Sequence, residues 1–170
     1  MPAELRGPLL LRLPNWLGDL VLSLPVLEAA ASHSGARPLL LVGPALYTPL
    51  LIPRLPGARY LAWSRASRYS LLGSIRREHP GTALLLTESF SSALLVALAR
   101  VPHRVGFAAE GRSPLLTVRV PRPRPARSTP RAAEYRRLAE AAGIAVADDA
   151  PLLTALDDER RKAAQVRQDP

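Results

Sequence analysis

The chain has 170 residues, a length that fits one domain with one buried core. Apolar residues make up 48% of it, which excludes intrinsic disorder as a description of the whole chain, and the absence of cysteine excludes disulfides and thiolate metal sites. The formal net charge is +9, and residues 100–137 concentrate the excess, with ten arginines against Glu110 and Glu134. This charge permits an anionic partner without requiring one.

Short apolar runs alternate along the chain with amphipathic stretches of helical period. The apolar runs predict buried strands at 8–13, 38–42, 58–62, 82–87 and 101–107, and a further strand or loop edge at 115–120. The other stretches predict helices at 19–32, 46–51, 67–78, 91–99 and 131–142. Pro25 lies inside the first helix and predicts a kink or an end there. The alternation predicts an α/β fold, a Rossmann-like, doubly wound and mostly parallel sheet whose strand order stays open.

The last part of the chain has a different composition. Residues 121–130 alternate proline with arginine and predict an extended, polyproline-like connection. Residues 157–167 predict a charged helix with few apolar side chains. We therefore expect a Rossmann-like domain over residues 1–150 and a linker or helix over residues 151–170.

Two strand ends carry residues that a ligand could contact, because ligands of open α/β sheets lie at the carboxyl ends of the strands. In the loop after the first strand, Gly18 permits a close approach of the backbone, and Asp19 stands at a predicted helix start. The Asp19 carboxylate could cap that helix or act as a general base. After the fourth strand, Ser89 and Ser91 could bind a hydroxyl or phosphate, or only cap the next helix.

Several other chemistries lack their motifs. The sequence contains no Gly-x-Gly-x-x-Gly, no phosphate-loop lysine and no Gly-x-Ser-x-Gly, and its three histidines lack the spacing of metal ligands. Arg65, Arg68, Arg76 and Arg77 could form an anion-binding face or only a solvated one. The arginines of residues 100–137 lack the interleaved aromatics of single-strand binders, so no specific nucleic acid is expected.

Residues 14–25, Pro-Asn-Trp-Leu-Gly-Asp-Leu-Val-Leu-Ser-Leu-Pro, resemble the opening motif of glycosyltransferase family 9, in particular its lipopolysaccharide heptosyltransferase II-like group. Residues 87–94 and 101–107 resemble two later motifs of that family, and residues 110–117 continue the likeness. Glu88 stands where the family usually has Asn, and the His of its His-x-x-x-Tyr-Tyr helix is missing near Tyr135.

This resemblance implies the N-terminal half of a GT-B enzyme, with Asp19 as the general base that takes a proton from the acceptor hydroxyl. The hydroxyl oxygen would attack the anomeric carbon of ADP-heptose with inversion, and no metal or other cofactor is implied. The sugar nucleotide would bind mainly to a C-terminal domain, whose Asp-x-Gly-Pro-x-His-type motif this sequence lacks. We therefore expect a truncated chain that is inactive alone.

The implied acceptor is an anionic lipopolysaccharide core or another glycan, and the implied location is cytoplasmic, with peripheral contact at the inner membrane. The predicted acceptor-binding residues are Asn15, Trp16, Gly18, Arg65, Arg68, Ser89, Ser91 and Arg104. Two other hypotheses stay open. One is a non-catalytic basic module that binds anionic glycolipid or nucleic acid, and the other is a small nucleotide-binding domain built on the first strand, loop and helix.

Overall fold

A computed structural model of the chain describes residues 7–35, 37–64, 68–122 and 129–147, with the backbone alone at residues 68 and 69. Within these residues the strands are β1 (Leu9–Arg12), β2 (Leu39–Gly43), β3 (Arg59–Ala62), β4 (Thr82–Leu85), β5 (His103–Phe107) and β6 (Val118–Val120). The helices are α1 (Leu17–Ser34), α2 (Thr48–Leu51), α3 (Arg68–Glu78), α4 (Phe90–Leu98) and α5 (Arg131–Ala141). Short 3₁₀ turns lie at Ala45–Tyr47 and Ser113–Leu115.

The strands form one parallel sheet in the order β3-β2-β1-β4-β5-β6. Leu9 at the start of β1 pairs with Leu39 of β2 on one side and with Thr82 of β4 on the other. From β1 the chain continues to β2 and β3 on one side of β1, and it then crosses to β4 on the other side. The topological switch point therefore lies between β1 and β4. The predicted doubly wound α/β fold is confirmed, and ligands of such sheets bind in the crevice at the switch point.

Helices cover both faces of the sheet, because successive side chains of a strand point to opposite sides. Leu9 and Leu11 of β1 lie in a core with α1 and α5, whereas Leu10 lies in a second core with α3 and α4. Both faces are therefore apolar, which explains why the strands are continuous apolar runs rather than alternating ones.

Helix α1 differs from the prediction at its start and at its middle. It begins at Leu17 rather than at Asp19, so Trp16 is the N-cap residue. It also continues through Pro25 to Ser34, so of the two predicted effects of the proline, a kink or an end, the end does not occur. Leu24, Pro25 and Val26 are all buried, and this packing outweighs the backbone hydrogen bond that proline cannot make.

Some of the remaining predictions concern residues that the structure describes, and the others concern residues outside that part of the chain. Within the open alternative at 115–120, residues 118–120 form a strand, β6, at the edge of the sheet, and residue 115 ends a 3₁₀ turn. Most of the predicted polyproline-like connection, the charged helix at 157–167 and the domain boundary near residue 150 lie outside the described residues. In the part of the chain that is described, no helix has both the length and the apolar composition to span a membrane.

Candidate functional site

A cleft of about 400 Å³ opens at the carboxyl edge of the sheet, beside the switch point. Its walls come from the loops after β1 and β4, from the β5–β6 connection, and from the start of α5. The residues that line it are Pro14, Asn15, Trp16, Asp19, Leu86, Thr87, Glu88, Ser89, Glu110, Arg122, Arg131 and Tyr135. The two loops that the sequence singled out therefore meet in one cleft.

The loop after β1 is held by hydrogen bonds from two sides. Arg12 is buried, and its guanidinium donates to the Leu13 carbonyl at 2.5 Å and to Oδ1 of Asn15 at 2.9 Å. The Tyr47 hydroxyl donates to the Asn15 carbonyl at 2.7 Å. Burial lowers the pKa of Arg12 to about 10, and its guanidinium also lies 4.7 Å from the centre of the Trp63 ring. These contacts fix the position of the backbone that carries Trp16 and Asp19.

Asp19 presents its carboxylate to the cleft. Asp19 is the third residue of α1 and the N-cap residue is Trp16, so Asp19 does not occupy the N-cap position. The Asp19 side chain is 28% exposed, and its Oδ1 lies 3.7 Å from Nε of Arg131. It is also in the first turn of α1, where the helix dipole favours a negative charge.

Arg131, the first residue of α5, is shared by three carboxylates. Its Nη1 donates to Glu134 at 2.6 Å and to Glu88 at 2.8 Å, while its Nε faces Asp19. The other oxygen of Glu88 accepts from Arg122 at 2.5 Å. Burial alone would lower the pKa of Arg131, but the hydrogen bonds to Glu134 and Glu88 outweigh it and raise that pKa. Arg131 is therefore a permanent cation that links α5 to both loops.

Tyr135 closes the inner side of the cleft. The residue is 2% exposed and lines the cleft. Burial raises the pKa of Tyr135, and the negative charge of Asp19 raises it further. The phenol therefore stays protonated at neutral pH and offers an O–H donor to the cleft.

Beneath the cleft, Arg112 is fully buried and joins three parts of the fold. Its guanidinium donates to the Thr87 carbonyl at 2.5 Å, to the Phe107 carbonyl at 2.9 Å and to the Ser92 hydroxyl at 3.3 Å. Burial lowers the pKa of Arg112 to about 10. Arg112 thus fixes the carboxyl ends of β4 and β5 and the start of α4.

The lining of the cleft is not basic, although the whole chain has an excess of arginine. Its ionisable lining residues, tyrosine aside, are three carboxylates, Asp19, Glu88 and Glu110, and two guanidiniums, Arg122 and Arg131. Among the described residues, no group of three or more His, Asp or Glu side chains is arranged to hold a metal ion.

The structure brings together several of the predicted acceptor-binding residues. Asn15, Trp16 and Ser89 line the cleft, and Gly18 lies beside it. Ser89 is also the N-cap of α4, where its Oγ accepts from the Ser92 amide at 3.4 Å, so its capping role is confirmed. Ser91 is exposed on the first turn of α4, within 3.4 Å of the Ser89 hydroxyl, and does not line the cleft.

The predicted arginines are elsewhere. Arg104 lies near the start of β5, at the opposite edge of the sheet, and its guanidinium donates to the carbonyls of Leu115 and Val101, each at 2.6 Å. Arg104 therefore does not line this cleft, because the first residues of a parallel strand lie far from its carboxyl end. Arg65 lies outside the described residues, as does the side chain of Arg68, whose backbone begins α3.

The residues predicted to form the site did not include Arg122, Arg131, Glu134 or Tyr135. The spacing of Arg131, Glu134 and Tyr135 within one helical turn was available as a signal. What the sequence lacked was the packing of α5 on α1, which brings this turn to loops more than forty residues away.

A doubly wound parallel sheet with a polar cleft at its switch point defines a Rossmann-like fold. No family model matches the chain, and a search of curated proteins finds no match in sequence. Solved structures do match. The structure of E. coli ADP-heptose LPS heptosyltransferase II is similar with a TM-score of 0.70 and 24% identity, over 94% of this chain and 50% of that one.

Two further structures agree. A family 9 glycosyl transferase from Veillonella parvula matches with a TM-score of 0.69 and 17% identity, over 95% of this chain and 49% of that one. E. coli heptosyltransferase WaaC, solved with ADP, matches with a TM-score of 0.67 and 14% identity, over 85% of this chain and 50% of that one. The predicted resemblance is thus confirmed for the fold, and the chain spans about half the length of each structure it matches.

Proposed function

We propose that this chain is the acceptor-binding half of an inverting glycosyltransferase, with Asp19 as its general base. The observation that carries the proposal is the Asp19 carboxylate, partly exposed at the switch-point cleft of a fold similar to that of the heptosyltransferases. The reaction would move heptose from ADP-heptose to a lipopolysaccharide inner-core acceptor. The chain would act at the cytoplasmic face of the inner membrane.

In the proposed reaction, the carboxylate of Asp19 accepts the proton of an acceptor hydroxyl. The acceptor oxygen forms a bond to the anomeric carbon of the sugar nucleotide, the bond from that carbon to the phosphate oxygen breaks, and ADP leaves. Arg131 holds the Asp19 side chain from one side, and the Tyr135 hydroxyl is a second donor for the oxygens of the acceptor.

The composition of the cleft favours a hydroxyl-rich ligand over a polyphosphate chain. Asp19, Glu88 and Glu110 are acceptors to which sugar hydroxyls can donate, whereas the same carboxylates repel a phosphate backbone. Arg122 and Arg131 are the guanidiniums of the lining that could contact the acidic groups of an inner-core acceptor.

One observation favours the alternative, a basic module without catalytic activity. At the amino edge of the sheet, Arg76, His79 and Arg100 line a second cavity of about 450 Å³ that has no acidic residue in its lining. An anionic glycolipid or nucleic acid would bind there rather than at the cleft. Steep weakening of DNA binding with salt would favour this alternative.

A transfer assay tests the proposal at the level of catalysis. The 170-residue chain alone, given ADP-heptose and a lipopolysaccharide-core acceptor, should give no turnover, because the sequence lacks the donor-domain motif of the resembled family. The same chain should bind the acceptor saturably and ADP only weakly. Turnover by this chain alone, or tight binding of ADP, would contradict the division of roles proposed here.

A further inference from the structure

Trp16 combines an exposed side chain with a firmly held backbone. The residue is 77% exposed, a large apolar surface left in water. Its carbonyl accepts from the Leu20 amide at 3.0 Å, and the preceding Asn15 is held by Arg12 and Tyr47. The indole therefore stands on a rigid support, so that a ligand could use it without the cost of ordering a loop.

The surface around Trp16 is apolar on one side and acidic on the other. An open groove of about 750 Å³ runs along the first turns of α1, lined by Trp16, Leu17, Gly18, Asp19, Val21 and Leu22. Trp16 and Asp19 also line the polar cleft, so the two surfaces meet at these residues. A ligand at this boundary must have an apolar face next to a polar edge.

We propose, on the basis of the proposed function, that the Trp16 indole is a stacking platform for a pyranose ring of the acceptor. A pyranose has a face of C–H groups, which the electron-rich face of an indole attracts, and an edge of hydroxyls. With its apolar face on Trp16, the ring directs a hydroxyl towards Asp19. A nucleotide base could also stack, but its phosphates would then meet the carboxylates of the cleft.

Intrinsic fluorescence can report on Trp16 alone once the other of the two tryptophans is replaced. In the Trp63→Phe variant, Trp16 is the single indole. Titration with a deacylated lipopolysaccharide inner-core oligosaccharide should shift its emission to the blue and reduce its quenching by acrylamide about threefold. Tripolyphosphate and ADP at equal concentration should change neither quantity.

Calorimetric titration of variants with the same oligosaccharide supplies the second measurement. Trp16→Leu should weaken binding about tenfold, and Trp16→Phe, which retains an aromatic face, should stay within about threefold of wild type. Leu46→Ala is the matched control, because Leu46 is 80% exposed, follows β2 at the same edge of the sheet, and does not line the groove. Its affinity should be unchanged.

The outcomes separate this inference from the proposed function. If the oligosaccharide binds and shifts the amide signals of residues 15–19, but Trp16 emission and the affinity of Trp16→Leu do not change, stacking is overturned and the acceptor site stands. A blue shift with ADP would assign the indole to a nucleotide and overturn the inference. If no oligosaccharide binds to the wild-type chain, the proposed function fails and this inference fails with it.

Discussion

Gly18 is the second residue of α1, and no contact within the described residues requires a glycine there. Its φ lies outside the left-handed region, and a Cβ built on it meets no atom within 4 Å. A glycine inside a helix is less stable than alanine by roughly 0.5–1 kcal/mol. Gly18 also lines the groove with Trp16 and Asp19, so we expect a methyl group added there to meet a ligand bound in the groove.

The Gly18→Ala variant should be more stable than wild type but bind the inner-core oligosaccharide less well. We expect the free energy of unfolding to rise by about 0.5 kcal/mol and the affinity to fall about fivefold. Gly73→Ala is the matched control, because Gly73 also lies inside a helix with open space around its Cα. It should gain the same stability with no change in affinity. Equal affinities for both variants would contradict the account.

The buried phenol of Tyr135 makes stability depend on pH at the alkaline end. Its folded-state pKa is raised by burial, so the native state keeps the proton where the unfolded chain, with a pKa of about 10, releases it. The contribution of Tyr135 to stability is complete below about pH 10 and is lost as the pH rises above that value.

Chemical denaturation of wild type and Tyr135→Phe at two pH values measures this loss. Between about pH 8 and pH 11, wild type should lose about 1.4 kcal/mol more than the variant, which has no ionisable group at this position. A difference that stays constant over this range would show that the phenol ionises as easily in the folded protein as in the unfolded chain.

At the level of elements, the strands were predictable and the ends of helices were less so. The apolar runs at 8–13 and 82–87 became β1 and β4, because a strand buried on both faces needs no polar alternation. The start of α1 was missed because Leu17 and Gly18 carry no capping signal. The helix does not end at Pro25, because the burial of the neighbouring residues, a tertiary effect, decides whether the helix continues.

Arg112 connects elements that lie far apart in sequence, and its removal should loosen the floor of the cleft. Arg112→Met leaves the Thr87 carbonyl without its guanidinium partner, so the free energy of unfolding should fall by about 2 kcal/mol. Arg100→Met is the control, since Arg100 is exposed to solvent. Urea denaturation of the two variants measures the free energy of unfolding. A similar small decrease in both variants would contradict the stabilising role of Arg112.

At the scale of the molecule, the distribution of charge was the hardest feature to predict. The basic stretch at 100–137 mixes residues from both edges of the sheet, because β5 begins at the amino edge and the loop after it lies at the carboxyl edge. Arg100 and Arg104 therefore lie far from the cleft, whereas Arg122 and Arg131 lie in it. Counting charge along the chain could not separate these two groups.

The position of the cleft was predictable for a simpler reason. The carboxyl ends of parallel strands share one edge of the sheet, so the loops after β1 and β4 had to lie there, and the strand order makes them neighbours. The wall from α5 depends on helix packing over a long sequence separation, and no local sequence pattern indicates it.

Mapping of the amide signals of the ¹⁵N-labelled chain by NMR, during titration with the inner-core oligosaccharide, shows whether the acceptor binds beside Asp19. We expect saturable shifts at residues 14–19 and 86–89, reduced in Asp19→Ala, with residues 76–81 and 99–102 unaffected. Shifts confined to residues 76–81 and 99–102, equal in wild type and Asp19→Ala, would contradict this expectation and assign the ligand to the basic amino edge.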